Sequence, residues 1–284
     1  MLVCRQAGLN IRYRVIICKV IKTTSAIPLK GRTWIRRMNK NMAAKKKSTE
    51  VVKKTRVTPE ELFEAGAHFG HMVKRWNPKM KKYIWGKKAG IHIFDLEKTV
   101  AKLDEACDAL IKLAAEGKNI VLVGTKRQAK DIVKTAALEN KIAYVTERWL
   151  GGIITNWKQV KTRIDKMLDL TKKREAGELK KYTKKEQILF DREIAKLEKF
   201  LGGLSDLKTA PEVLIIIDTH KERSAVREAK NRGLTIVGVV DTNSNPDGIS
   251  YAVPMNDDAT KAIEIVVKQF GKAVAEGRIK KSEE

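Results

Sequence analysis

Asn119-Ile-Val-Leu-Val-Gly124, Glu212-Val-Leu-Ile-Ile-Ile-Asp218 and Leu234-Thr-Ile-Val-Gly-Val-Val-Asp241 are short apolar runs rich in β-branched residues, each closed by a glycine or an aspartate. Runs this short suit strands, and their unbroken hydrophobicity suits strands buried on both faces. Amphipathic segments lie between and around them. Over residues 98–116, Val100, Leu103, Cys107, Leu110, Ile111 and Ala114 recur at three to four residues, and Gly117 stands where the helix should stop. Further helices are expected at 128–139, 224–232 and 259–270, and further strands at 142–145 and 250–253. This alternation predicts an α/β fold, a doubly wound parallel sheet covered by helices on each side. Upstream, Thr58-Pro59-Glu60-Glu61 reads as a helix start, with Thr58 as N-cap, Pro59 at the first position and Glu61 completing a capping box. Leu62, Phe63 and Ala65 are expected to supply that helix's buried face.

The texture changes over residues 156–201, which contain no strand-like run. Val160, Ile164, Met167 and Thr171 form one stripe and Phe190, Ile194, Leu197 and Leu201 another, spaced by fours and threes as in a coiled-coil seam. Ala176-Gly177 and Gly202-Gly203 supply breaks. The reading is an inserted antiparallel α-helical coiled-coil hairpin, each stripe shorter than two heptads. The expected domains are a basic leader at 1–56, an α/β domain at 57–154 plus 203–276, the hairpin at 155–202 and a tail at 277–284.

The 284 residues carry 59 Lys plus Arg against 34 Asp plus Glu, a formal net charge of +25. Such a field attracts polyanions and argues against an ordinary metabolic enzyme, while 43% hydrophobic residues are enough for a sizeable core. Residues 1–41 hold ten of the basic residues and no acid, which leaves +15 for the remainder. Three origins compete for that leader: a transit peptide, a nucleic-acid-binding arm, or sequence upstream of a start at Met42, which is the one favoured here because Met42-Ala-Ala-Lys-Lys-Lys resembles a natural beginning. Cys4, Cys18 and Cys107 are too few and too scattered for a disulfide framework or a zinc ribbon, which points to a reducing compartment. The apolar run at 15–21, broken by Lys19, is far short of the roughly 20 residues of a membrane span.

Several features carry chemistry. Gly124-Thr125-Lys126-Arg127 after the first strand presents Lys126 and Arg127 where a phosphate could sit, but it has one glycine where a dinucleotide fingerprint needs three. A contact to a nucleic-acid backbone is the better reading. Asp218 and Asp241 end two strands and Asp247 lies in an Asn/Pro/Gly turn; they suit Mg²⁺ or general-base work, yet turn shaping and capping explain them more simply. His68, His71, His92 and His220 form no trio legible from spacing, and packing or RNA contact is expected of them. The strongest constellation is residues 71–88, with Lys74, Arg75, Lys79, Lys81, Lys82, Lys87 and Lys88, no acid, and the aromatics Trp76, Tyr83 and Trp85 interleaved. Cations attract phosphates and aromatic faces stack on unpaired bases, the combination that holds irregular RNA. The competing expectation for Trp76 and Trp85 is the core. A second basic cluster, Lys172, Lys173, Arg174, Lys180, Lys181, Lys184 and Lys185, falls at the expected hairpin tip against only Glu175 and Glu178.

Ala67-His-Phe-Gly-His71, Trp76-Asn-Pro-Lys-Met80, Ile91-His-Ile-Phe-Asp-Leu-Glu-Lys-Thr99, Val123-Gly-Thr-Lys126, Arg148-Trp-Leu-Gly-Gly152, Thr155-Asn-Trp157 and Val240-Asp-Thr-Asn-Ser-Asn-Pro-Asp-Gly248 occur in that order. Together they resemble the bacterial-type small-subunit ribosomal protein two family from about residue 59 to 276. The resemblance implies a flavodoxin-like domain with a protruding coiled-coil hairpin and a place between head and body of the small subunit in the cytoplasm. It implies contacts to small-subunit ribosomal RNA and to neighbouring ribosomal proteins, including ribosomal protein one where present. No catalytic role, cofactor, metal, membrane association or homo-oligomer is implied. It adds Arg148, Asn156 and Lys158, at the junction into the hairpin, to the RNA-facing residues. The basic leader departs from the bacterial pattern. The rival from another class is a phosphate- or nucleotide-handling α/β enzyme using Lys126, Asp218 and Asp241.

Overall fold

The structure, a computed structural model, describes residues 56–283. The expected leader therefore lies outside the described residues apart from Arg56, and Arg56 is docked rather than loose. Its backbone N–H donates to Asp104 Oδ1 at 3.3 Å and its guanidinium to Asp108 Oδ1 at 2.7 Å.

The chain runs α1 (Pro59–Glu64), β1 (Phe69–Met72), β2 (Ile84–Lys88), β3 (Ile91–Phe94), α2 (Leu96–Ala115), β4 (Ile120–Val123), α3 (Lys130–Glu139), β5 (Ala143–Val145), α4 (Trp157–Glu175), α5 (Lys184–Leu201), β6 (Val213–Ile216), α6 (Arg223–Asn231), β7 (Thr235–Val240), β8 (Tyr251–Pro254) and α7 (Thr260–Glu283). The capping box of α1 forms as expected, Glu61 N–H donating to Thr58 Oγ1 at 3.3 Å while Thr58 N–H donates to Glu61 Oε2. Leu62 is buried, but Phe63 is 59% exposed, contrary to expectation. In a helix of six residues the one turn that faces the core is filled by Leu62, and its neighbour points outward.

The five strands β5-β4-β6-β7-β8 are parallel throughout. Alternation along each strand feeds two cores. Ile120, Leu122, Val213, Ile215, Val237 and Val239 face one, with Leu103, Leu110, Ile263, Val266 and Phe270 from α2 and α7. Val121, Val123, Leu214, Ile216 and Ile236 face the other, with Trp149, Ile153, Ile164, Leu201, Ala225 and Ala229. Both faces are thus covered, which is why the strands read as continuous apolar runs. The strand order and flanking helices fit a flavodoxin-like fold.

Two elements differ from expectation. Residues 69–94 hold a separate three-stranded antiparallel sheet, ordered β1-β3-β2, where the sequence predicts no strand. The last helix continues to Glu283, through residues 277–283 where a tail is expected, and Gly277 lets it lie close against α2. A Cβ at Gly277 would stand 2.3 Å from the Ile111 carbonyl oxygen.

Between β5 and β6, α4 and α5 pack on each other. Ile164, Met167, Leu170, Ile194 and Leu201 are buried along them, Val160, Thr171, Phe190 and Leu197 are half-buried, and Lys166 pairs with Glu193 across the gap at 2.5 Å. The side chains of Tyr182 and Phe190 meet edge-on at 5.3 Å, and buried Leu179 fills the turn between the helices. Among the described residues no helix is long and apolar enough to cross a membrane.

Candidate nucleic-acid interface

The antiparallel sheet and the turns beside it present the first basic constellation. Lys74, Arg75, Lys79, Lys81, Lys82, Lys87 and Lys88 are all exposed, whereas Met80 and Tyr83 of the same segment are buried and anchor it. Asn77 starts the 3₁₀ turn Pro78–Tyr83 by accepting from the Lys79 N–H at 3.0 Å, so Lys79, Lys81 and Lys82 are set around a rigid turn. Trp76 is half-buried and packs on His92 with ring centroids 5.1 Å apart. Trp85 is 76% exposed, not in the core as one reading had it, because on β2 it points away from the face that covers Tyr83 and Phe94. With Phe63, His68 and Phe69 it lines a groove of about 720 Å³. Local acid-poverty does not translate fully into free charge, since Asp247 arrives from another loop and pairs with Lys79.

Arg127 and Arg148 are exposed beside the sheet, and Asn156 and Lys158 are exposed at the start of α4. Lys172, Lys173, Arg174 and Lys181 are exposed at the far end of the helix pair; the side chain of Lys180 lies outside what is described. Two of these cations have partners, Lys173 with Asp169 at 2.8 Å and Arg174 with Asp191 at 3.9 Å.

The junction that carries Arg148 and Asn156 is organised by a residue the sequence reading passed over. Glu228, on α6 and 8% exposed, accepts from Trp149 Nε1 at 2.9 Å, the backbone N–H groups of Gly152, Ile154 and Thr155 at 3.0, 3.1 and 2.8 Å, and Thr155 Oγ1 at 2.7 Å. Burial pushes this carboxyl up, but the hydrogen bonds from Thr155, Trp149 and Ile154 outweigh burial and hold it below the usual range. A glutamate in a charged helix carries no sequence signal of that role.

Lys126 departs most from expectation. It does not face outward to a phosphate: its side chain is 13% exposed and Nζ lies 2.7 Å from Asp257 Oδ1, 2.5 Å from Asp258 Oδ1 and 3.7 Å from Asp218 Oδ2. Burial works against its charge, yet the Asp257 and Asp258 carboxylates leave its pKa raised. The cluster sits outside the carboxyl ends of β4, β6, β7 and β8, at the point where strand order reverses. Asp218 has φ +65°, and its Oδ1 accepts from the Lys221 N–H at 2.9 Å, so it shapes its turn as the simpler reading held. Asp241 is fully buried. It accepts from the Thr242 N–H and hydroxyl through Oδ1, from the Asp257 N–H through Oδ2, and its Oδ2 lies 3.0 Å from His71 Nδ1.

His71 reaches this place from the antiparallel sheet. Its N–H donates to Thr242 Oγ1 at 2.9 Å, Asn77 N–H donates to the Thr242 carbonyl at 2.7 Å, and Gly70 lets β1 approach so closely that a Cβ there would lie 2.6 Å from Thr242 Cγ2. Hydrogen bonding to Asp241 raises the imidazole pKa against the opposing effect of burial. Asp257 is pushed up to about 8, first by burial and then by Asp241 and Asp218, with Lys126 acting the other way. One atom from each of His71, Asp257 and Asp258 lies within 4.8 Å of the others, a spacing open to a cation. The other histidines are scattered: His92 is buried under Trp76, His68 stacks on Phe63, and His220 contacts Arg223.

Exposed cations on the antiparallel sheet and on the helix pair thus stand apart from an ion cluster turned inward. The model of the family described as Ribosomal protein S2 matches residues 62–277, most of the chain. The chain belongs to that family. It is therefore a structural protein of the small ribosomal subunit, acting in translation. The match spans both sheets, the α4–α5 pair and the inward cluster, so all of the site residues named above fall within the Ribosomal protein S2 region.

Proposed function

We propose that the chain is held in the small subunit by several separate contacts to ribosomal RNA, with no turnover. Lys74, Arg75, Lys81, Lys82, Lys87 and Lys88 neutralise phosphates beside the antiparallel sheet, with Lys79 exchanging Asp247 for a phosphate, and Trp85 stacks on an unpaired base. Arg127, Arg148, Asn156 and Lys158 hold a second stretch; of the Gly124–Arg127 turn only Arg127 faces outward, and Lys126 acts through the turn's shape. The α4–α5 pair is a coiled-coil arm, residues 155–202, whose Lys172, Lys173, Arg174, Lys180 and Lys181 reach a third. The position is between head and body on cytoplasmic ribosomes, with other ribosomal proteins, ribosomal protein one among them where present, as neighbours. The exposed Phe63 and Phe69 support a protein contact beside the RNA.

The observation that carries this reading is that all seven basic residues of 71–88 are exposed on a segment anchored by buried Met80 and Tyr83. The triple change Lys74→Glu, Lys81→Glu and Lys87→Glu is expected to lower occupancy on small subunits in sucrose-gradient fractions. It should also reduce the salt slope of RNA binding by about one unit for each phosphate no longer neutralised. Unaltered occupancy and slope at physiological salt would remove this segment from the interface.

A further inference from the structure

We infer that a crevice beside α6 is a nucleotide-binding subsite, which takes one unstacked base together with its phosphate. It lies outside the carboxyl ends of β6 and β7, where open α/β sheets hold ligands, and it encloses about 620 Å³. The inference deepens the RNA-binding reading and rests on it only for the source of the nucleotide.

The charge of the crevice is unbalanced. Arg223, Arg227 and Lys230 line it from α6, and none of the three has a carboxylate partner among the described residues. Arg223 is pinned to the preceding loop, Nε donating to the His220 carbonyl at 3.0 Å and Nη2 to the imidazole Nε2 at 2.6 Å. Lys230 Nζ donates to the Asp247 carbonyl at 2.9 Å. Asp247, the one acid among the described lining residues, is paired with Lys79.

The neutral groups are donors as well. Asn77 Oδ1 accepts from the Lys79 N–H at 3.0 Å and Asn245 Oδ1 from the Asp247 N–H at 3.1 Å. Each side-chain carbonyl is thus engaged by its own turn, and the amide NH₂ is left for a ligand. Thr219 lines the crevice from the loop after β6 and is 5% exposed. Its methyl is turned towards β7, where a Cβ on Gly238 would lie 2.8 Å from Thr219 Cγ2, and its hydroxyl has no hydrogen-bond partner among the described residues. A buried hydroxyl without a partner is costly, and an acceptor on a ligand relieves that cost.

These groups select the ligand class. A cationic, donor-rich crevice suits an anion that carries further acceptors, and Val226 with the His220 ring adds surface for a flat group. A phosphate answers the guanidinium groups. Guanine, whose O6 and N7 both accept, fits the donors better than adenine, whose N6 is itself a donor. A residue extruded from RNA and a free mononucleotide share this chemistry. Asn77 joins the crevice to the cationic segment 71–88, so RNA held there can deliver the residue.

The test is fluorescence anisotropy of the full chain with a short single-stranded oligoribonucleotide carrying one guanosine among cytidines, and with a copy abasic at that position. Removing the base should weaken binding by about 5- to 100-fold. Arg227→Gln should weaken the guanosine-bearing strand by about tenfold or more, and Thr219→Val by about 2- to 10-fold while leaving the abasic copy unaffected. Thr219→Val removes an unpaired hydroxyl and keeps the methyl against Gly238, so the denaturant midpoint should not fall. Displacement of the strand by guanosine 5′-monophosphate below about 1 mM marks a free nucleotide as the ligand, and no displacement marks a residue of RNA. Equal affinity for the abasic copy, or wild-type binding by either variant, would overturn the assignment. The triple change at Lys74, Lys81 and Lys87 alters the salt slope and not the effect of the base, so failure of that interface and failure of the crevice are read separately.

Discussion

Glu228 and Asp257 are both buried carboxylates with opposite fates. Five donors converge on Glu228, so its charge is stabilised and the loop 149–155 folds around it. Glu228→Gln retains the shape but puts an amide NH₂ against N–H donors. A loss of about 2–4 kcal/mol is expected, read as a lower denaturant midpoint with unchanged m-value. Asp257, surrounded by Asp241, Asp218 and Asp258 and faced by Lys126 and His71, titrates near 8 in the fold and near about 4 when unfolded. Between those values the folded chain holds a proton that the unfolded chain has released, so this group's contribution to stability falls as pH rises. His71, also raised, acts in the same direction, its contribution complete below its unfolded value and lost as pH climbs through the folded one. The midpoint should therefore be higher at pH 5.5 than at pH 8.5. Asp257→Asn should flatten that difference, and a midpoint that rises with pH in the wild type would contradict the account.

At the scale of elements, the two helical layers behave differently under substitution. α7 lies so close to α2 that Gly277→Leu would drive side-chain carbons into the Ile111 carbonyl and Ala114. Overpacking of this kind costs about 1–3 kcal/mol, visible as a drop in thermal midpoint of several degrees. The outer end of the α4–α5 pair is the reverse case. Lys172, Lys173 and Lys181 are exposed, and Lys173 pairs at the surface with Asp169, so changing all three to Glu should leave the denaturant midpoint nearly unchanged. The same change should shift the salt slope of RNA binding. A large stability loss with an unaltered slope would make the arm a packing element instead. These elements were legible to different degrees. α2 declared itself by its apolar period and Gly117, and the strands of the parallel sheet by unbroken β-branched runs. β1, β2 and β3 did not, because strands of four or five residues have no run or alternation long enough to read, and β2 ends in Lys87 and Lys88.

For the whole molecule, the formal +25 is not distributed as a uniform field. The ion pairs of Lys79, Lys126, Lys130, Lys166 and Lys173 remove part of it locally, while residues 71–88 and the far end of the helix pair remain strongly cationic. Binding to RNA should therefore weaken steeply with salt, and the slope should count contacted phosphates rather than net charge. The chain's own sequence determined its alternating parallel fold and its family, because those follow from local periodicity and ordered motifs. The inward pairing of Lys126, the seat of His71 on Thr242 and Asp241, the arrival of Asp247 at Lys79 and the five donors on Glu228 were decided only by tertiary structure. Each joins residues dozens to more than a hundred positions apart, and nothing in the local chain at either end encodes the distance to the other.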